Sequence, residues 1–232
     1  MIKTKTKPVK RAAKKPGARK SPAAKPETVL VLRTCASDRS AHGGFVWPES
    51  GPVSCSDWDP RPVCGFGLHG LLWGCGNGGL LAVGDADAKW LVVEVIASEI
   101  VSLDGGEKVK FPRGVVVFCG DRKGATDYIY SRKPGAVVGV SVDAGPNGSA
   151  LGGDASTVTG GYASTVTGGY ASTVTGGDAS TVTGGDASIL CLKHWDGRRW
   201  RMLIGYVGED GIESGKPYRV NKDGKIVPAE AK

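Results

Sequence analysis

No apolar run in this chain approaches the ~18 residues that a helix needs to cross a bilayer. The opening residues lack the apolar stretch of about 7 to 15 residues that follows the charges of a secretory signal, and the Arg-rich amphipathic pattern of a mitochondrial presequence is absent too. A cytoplasmic protein without a membrane partner is expected. Cysteine is sparse: Cys35, Cys55, Cys64, Cys75, Cys119 and Cys191 are spaced 20, 9, 11, 44 and 72 residues apart, with no C-x-x-C. That spacing argues against a zinc ribbon, and the missing export pattern argues against a disulfide framework. Reduced, mostly buried thiols are expected. A metal site of Cys55, Cys64, His69 and Cys75 would need a folded loop to gather irregular ligands, so no metal and no cofactor is expected. Aromatic residues make up only 7% of the chain, yet 40% is apolar, which is enough for a core.

The net charge of +7 is local. Residues 1–27 hold eight Lys, two Arg and one Glu, so the other 205 residues sit near −2. Lys, Ala and Pro without an apolar period cannot bury enough surface to fold alone, so a solvated arm is expected. Its cations, among them Lys10, Arg11, Lys14, Lys15, Arg19 and Lys20, suit phosphate backbones without sequence preference, and nucleic acid is a candidate partner. A merely solubilising tail has the same composition.

Glycine is abundant, 37 of 232 residues, without the triplet period of collagen. The expected class is mainly β. TVLVLRT (28–34), AHGGFVWPES, KWLVVEVIA (89–97) and GVVVFCG (114–120) read as strands, the last two covered on both faces. DRKGATDYIYSRK (121–133) reads as a short helix capped by Asp121, with Ala125, Ile129 and Tyr128 on one stripe. Residues 28–143 thus read as a small α+β domain.

Residues 144–191 divide into six octads, of which GGDASTVT, GGYASTVT, GGYASTVT and GGDASTVT are the regular ones. Within ASTVT the period is two, placing Ser156 with Val158 on one face and Ala155, Thr157 and Thr159 on the other. One octad cannot bury its valine, whereas stacked copies can. A parallel β-solenoid with two octads per coil follows, turning at Gly-Gly corners that use positive φ and close backbone approach. Tyr170 should then stack between Asp154 and Asp186, and Tyr162 beside Asp178. Val and Ser belong inside; Thr157, Thr159, Thr165, Thr167, Thr173, Thr175, Thr181 and Thr183 belong outside as a grid of methyls and hydroxyls. Along a strand, T-x-T hydroxyls lie about 6.7 Å apart, and coils repeat about every 4.8 Å. Residues 192–232 read as two β-hairpins, turning at Asp196-Gly197 and at Lys222–Gly224, that cap the solenoid.

The STVTGGYA unit resembles the octapeptide of bacterial ice nucleation proteins, whose repeats follow A-G-Y-G-S-T-x-T. Residues 152–187, about a sixth of the chain, match in the S-T-x-T, the small-Gly pair and, in two units, the Tyr. The resemblance implies that the eight threonines order water into an ice-like layer; a scaffold or partner-binding surface would show the same grid. Tyr162 and Tyr170 are candidates for a homodimer contact through the solenoid. The remainder, including GGFVWPESGPV, CGFGLHGLLWG, KWLVVEV, KFPRGVVVFCGD and HWDGRRWRMLIGYVGEDGIE, resembles an uncharacterised family of bacterial and phage proteins carrying similar octapeptide tracts, which implies no activity.

GFGLHG (65–70) spells G-x-G-x-x-G, but Pro60 and Pro62 precede it and Gly74, Gly76, Gly78 and Gly79 follow, so a strand–turn–helix phosphate loop is not expected. It reads instead as a glycine-rich loop packing Leu71 and Trp73. His69 with Glu94, backed by Asp57 and Asp59, would form an acid/base pair similar to that of ADP-ribosyl-transferring folds if the groups shared a cleft. A non-enzymatic structural or interaction protein is the leading expectation.

Overall fold

The structure, a computed structural model, describes residues 25–229. Seven strands form one sheet: β1 (Thr28–Cys35), β2 (Gly51–Ser54), β3 (Leu68–Leu72), β4 (Lys89–Ile96), β5 (Val101–Leu103), β6 (Lys108–Phe111) and β7 (Arg113–Gly120). Their order is β2-β7-β4-β1-β3-β6-β5, antiparallel throughout. The apolar runs of β1 and β4 explain their place in the middle, because a strand covered on both faces needs apolar residues at every position. Leu30, Leu32, Trp90 and Val92 face one side; Val31, Leu91, Val93 and Val95 face the other. Helix α1 (Arg122–Tyr130) covers the first side with Ala125 and Ile129, and Asp121 caps it by accepting the Gly124 N–H at 2.7 Å. On the second side, the segment carrying Phe45 and Trp47 closes the core.

Three local expectations change. β7 is not covered on both faces: Val116 is buried, but Val115 is 43% exposed, because β7 lies one strand from the edge and its outer neighbour β2 has only four residues. AHGGFVWPES is not a strand. It is a turn around His42–Gly44, closed by a single Ser40–Val46 bridge, with Gly43 and Gly44 at φ of 72° and 76°. The second half of the GFGLHG segment is not a loop; Leu68, His69 and Gly70 lie in β3.

The chain then coils. Strands β8 (Ser141–Asp143), β9 (Ser149–Leu151), β10 (Thr157–Gly160), β11 (Thr165–Gly168), β12 (Thr173–Gly176) and β13 (Thr181–Gly184) alternate between two parallel sheets. Thr157 pairs with Thr173 and Thr165 with Thr181, so one coil is sixteen residues and two octads. The first solenoid strand, β8, precedes the octad pattern. At the far end β14 (Ile189–Trp195) continues the first sheet and folds back as β15 (Trp200–Tyr206); β16 (Pro217–Val220) and β17 (Ile226–Pro228) extend the second. β16 runs antiparallel to β13, and that reversal ends the stack. Leu190, Leu192, Val207, Ile212 and Tyr218 plug the interior there. The other end abuts the seven-stranded unit, where the Gly153 N–H donates to Val137 O at 2.9 Å and Asp154 Oδ2 accepts the Gly78 N–H at 3.1 Å.

Candidate functional site

Each of the four regular octads contributes a four-residue strand, Thr-Val-Thr-Gly, rather than the expected five-residue ASTVT. Alternation along it sends Val158, Val166, Val174 and Val182 fully inside, with Ser156, Ser164, Ser172, Ser180 and Ser188 beside them. Burying a hydroxyl is costly unless it is bonded. Here the serines form a ladder: Ser172 Oγ donates to Gly153 O at 3.1 Å, Ser180 Oγ to Gly161 O at 2.8 Å and Ser188 Oγ to Gly169 O at 2.9 Å.

The corner meets half of its expectation: the close backbone approach is there, with a Cβ on Gly177 falling 2.4 Å from Gly161 O, but the positive φ is not on the glycines. Positive φ falls on the alanines, at 51° for Ala155, 52° for Ala163 and 50° for Ala171, so Ala155 sits in the turn and not on the outer strand face. The glycines are there for space. A Cβ on Gly160 would lie 2.0 Å from the Ser164 hydroxyl, and one on Gly168 2.7 Å from Ser172 Cβ. Across the turns, Ala155 N–H donates to Tyr170 O, Ala171 N–H to Asp186 O and Ala163 N–H to Asp178 O, giving the two stacks expected of a sixteen-residue coil.

All eight threonines stand outside, and coiling divides them between two sheets. On the first, Thr157 lies in register with Thr173 and Thr159 with Thr175; on the second, Thr165 with Thr181 and Thr167 with Thr183. Each sheet therefore carries a two-by-two grid rather than a share of one continuous surface. Thr157 and Thr165 are exposed, and the other six are half-buried by their neighbours. Among the described residues, none of the eight hydroxyls bonds to protein. The rows end chemically: on the first sheet in Ser141 and Asp143 on one side and Ile189 and Cys191 on the other, and on the second in Ser149 and Leu151. Beyond Ile189 the outer surface turns apolar, with Trp195, Trp200, Met202, Ile204 and Tyr206 each about half exposed. Tyr162 and Tyr170 are both 58% exposed, in different turn stacks.

His69 and Glu94 do not converge. His69 lines a cavity with Arg33 and His42, whereas Glu94 lines another with Arg113 and accepts a 2.6 Å hydrogen bond from Thr28 Oγ1. Burial, then the charges of Arg33 and Lys108, hold the His69 imidazole below its usual pKa. Asp59 is taken up by Arg61 at 2.6 Å, and Asp57 lines a neighbouring cavity with His69. Nor do the thiols gather: Cys55 bonds to Pro112 O and Cys75 to Trp73 O, and all six cysteines are free. No group of three or more metal-ligating side chains occurs among the described residues. Lys10, Arg11, Lys14, Lys15, Arg19 and Lys20 lie outside the described residues. No described helix is long and apolar enough to cross a membrane.

Comparison with known proteins widens the resemblance seen in the octads. No protein-family model matches the chain, and no solved structure matches it. Curated relatives do. An ice nucleation protein of Xanthomonas campestris pv. translucens is 43% identical over 122 residues, 52% of this chain and 8% of the relative. One of Pseudomonas fluorescens is 48% identical over 105 residues, 45% of this chain and 9% of the relative. One of Pantoea ananas is 39% identical over 133 residues, 56% of this chain and 10% of the relative. Even the 105-residue match exceeds the 48 residues of the octad tract, so the likeness extends well beyond the repeat. The chain is thus similar to ice nucleation proteins over about half its length, while it spans only about a tenth of the length of those relatives.

Proposed function

We propose that this is a non-enzymatic structural protein whose two threonine faces organise water into an ice-like layer. The observation that carries the reading is the in-register stacking of Thr157 on Thr173, Thr159 on Thr175, Thr165 on Thr181 and Thr167 on Thr183, with hydroxyls unbonded to protein. A β-branched side chain on a strand has little χ1 freedom, so methyl and hydroxyl are held at lattice positions before water arrives. Ordering a water molecule costs up to ~2 kcal/mol of entropy, and a rigid array adds little side-chain entropy to that cost. The likeness to ice nucleation proteins supports the same reading.

Each grid is only two threonines deep. The template is correspondingly small, and freezing is expected well below the temperature reached by an extended array. Droplet freezing of the full chain, compared with a variant carrying all eight threonines as Gln, tests the proposal. Gln keeps the face uncharged but replaces the fixed methyl–hydroxyl pair with a longer, mobile side chain. The wild type should freeze above buffer and the variant with buffer. Identical freezing curves, with circular dichroism showing both folded, refute it.

A further inference from the structure

Three polar atoms around one spot in the seven-stranded unit are buried without a hydrogen-bond partner among the described residues: Arg33 Nε, Trp47 Nε1 and His69 Nε2. Buried polar groups are almost always satisfied, so three orphans together call for an explanation. Arg33 links them. Its guanidinium lies 4.9 Å from the centre of the Trp47 ring, and its Nη1 donates to His69 O at 2.9 Å. Trp47 itself is only 1% exposed. A largely buried guanidinium is ordinarily neutralised by a carboxylate. Among the described residues no carboxylate lies within ion-pair distance of Arg33. The neighbouring cation Lys108 already has Asp104, 2.9 Å away.

The same residues border open space. A cavity of about 490 Å³ and a second of about 400 Å³ meet at Arg33, His42, Gly65 and His69. Leu80 and Leu81 make one wall of the larger, over the buried Leu71, and Leu80 is 47% exposed there. Small-molecule sites have this make-up: an apolar enclosure of some 300–1,000 Å³ with a few convergent polar groups.

We infer that this pair of cavities is a binding site for a small organic oxyanion. Arg33 supplies the countercharge and Trp47 Nε1–H a second donor, while the ligand's apolar or flat portion lies against Leu80 and Leu81. A guanidinium with a free N–H matches carboxylate and phosphate oxygens geometrically, and its stack on Trp47 fixes its plane. His42 and His69 stand where the two cavities join. The site is independent of the threonine faces.

Isothermal calorimetry on the full chain, with adenosine monophosphate, inorganic phosphate, benzoate and uncharged adenosine as probes, tests the inference. At least one anion should bind and adenosine should not. Binding by phosphate-bearing probes alone, or by benzoate alone, identifies which oxyanion the site takes. Arg33→Met should weaken that binding by about tenfold or more. The ligand-free Tm of this variant should stay level or rise, because an uncompensated buried charge is removed. Trp47→Phe keeps the stack and deletes the donor, so it too should weaken anion binding, and it decides the matter if the Arg33 variant does not fold. Failure of all three anions to bind at millimolar concentration overturns the proposal, as does undiminished affinity in the folded variants.

Discussion

The backbone N–H of Ser156 donates to the hydroxyl of Ser172, 3.1 Å away and one full coil further along the chain. That hydroxyl in turn donates to Gly153 O at 3.1 Å, so one buried oxygen satisfies groups on the preceding coil in both directions. Ser164 and Ser172 repeat the link to Ser180 and Ser188. Ser172→Ala leaves the buried Ser156 N–H unpaired while Gly153 O keeps the Gly169 N–H at 3.1 Å, and is expected to destabilise the protein by about 1–3 kcal/mol in urea unfolding. No change in the urea midpoint would mean that the ladder does not hold the coils together.

Glycine and alanine are not interchangeable within the octad. Gly160→Ala puts a methyl 2.0 Å from the Ser164 hydroxyl and 2.8 Å from a Val166 methyl, and overpacking of this kind costs ~1–3 kcal/mol. Ala171→Gly acts the other way. At φ of 50° an L-residue bears about 1–2 kcal/mol of strain, and glycine removes it at an entropic cost of about 0.5–1 kcal/mol. A net gain near 0.5 kcal/mol is expected. The ice nucleation pattern A-G-Y-G-S-T-x-T itself carries Gly after the Tyr, where this chain has Ala163 and Ala171. Thermal unfolding of the two variants should move in opposite directions, and a shared direction contradicts the assignment.

Acid should loosen the β14–β15 hairpin late. Asp196 accepts the Arg199 and Arg198 N–H groups, each at 2.8 Å, and Arg201 Nε at 2.6 Å. The Arg199 backbone bond, then the Arg201 side chain, bring its pKa down to about 2. A carboxyl depressed on folding adds stability above its unfolded value near 3.9, and that contribution is lost as pH falls through the folded value. Trp195 and Trp200 pack edge to face at the open end of this turn, 5.3 Å between ring centres, and provide the signal. Their near-ultraviolet circular dichroism should change between about pH 4 and pH 2 and lose that step in Asp196→Asn. A step that survives the substitution assigns it to another group.

Length is the control on the threonine faces. Inserting a further sixteen-residue copy of 157–172 adds one strand to each sheet and deepens both grids by one threonine pair. Higher droplet freezing temperature and preserved folding are expected, because each new coil meets the same neighbours. A one-residue insertion inside a strand shifts its alternation and turns its valine outward, so cooperative unfolding should be lost. Freezing that ignores the added coil would detach ice ordering from the grid.

Legibility followed the range of the interaction. The sixteen-residue coil, the outward threonines, the Asp121 cap and the two hairpins were readable because each rests on periodicity or turn chemistry within a few residues. The corner was half readable: any repeat of Gly-Gly announces tight geometry, but whether φ or free space demands it depends on what packs against each glycine, and here Ser164 and Val166 of the next octad make it space at Gly160, as the Gly161 backbone one coil away does at Gly177. Arg33 was visible as a lone cation in TVLVLRT, yet nothing local shows that Trp47 stacks on it or that His69 borders the same cavity.

The amino-acid sequence by itself determined the repeat, its alternation and therefore which side chains a stacked coil must hide, because those follow from a period of two and a period of eight. Tertiary structure alone decided which side chains end the two threonine grids, that β3 and β6 join β1 at one side of the sheet, and that three orphaned polar atoms meet beside a cavity. Those outcomes depend on contacts between residues distant in sequence, whose closure cost is met only when the whole set of strands assembles.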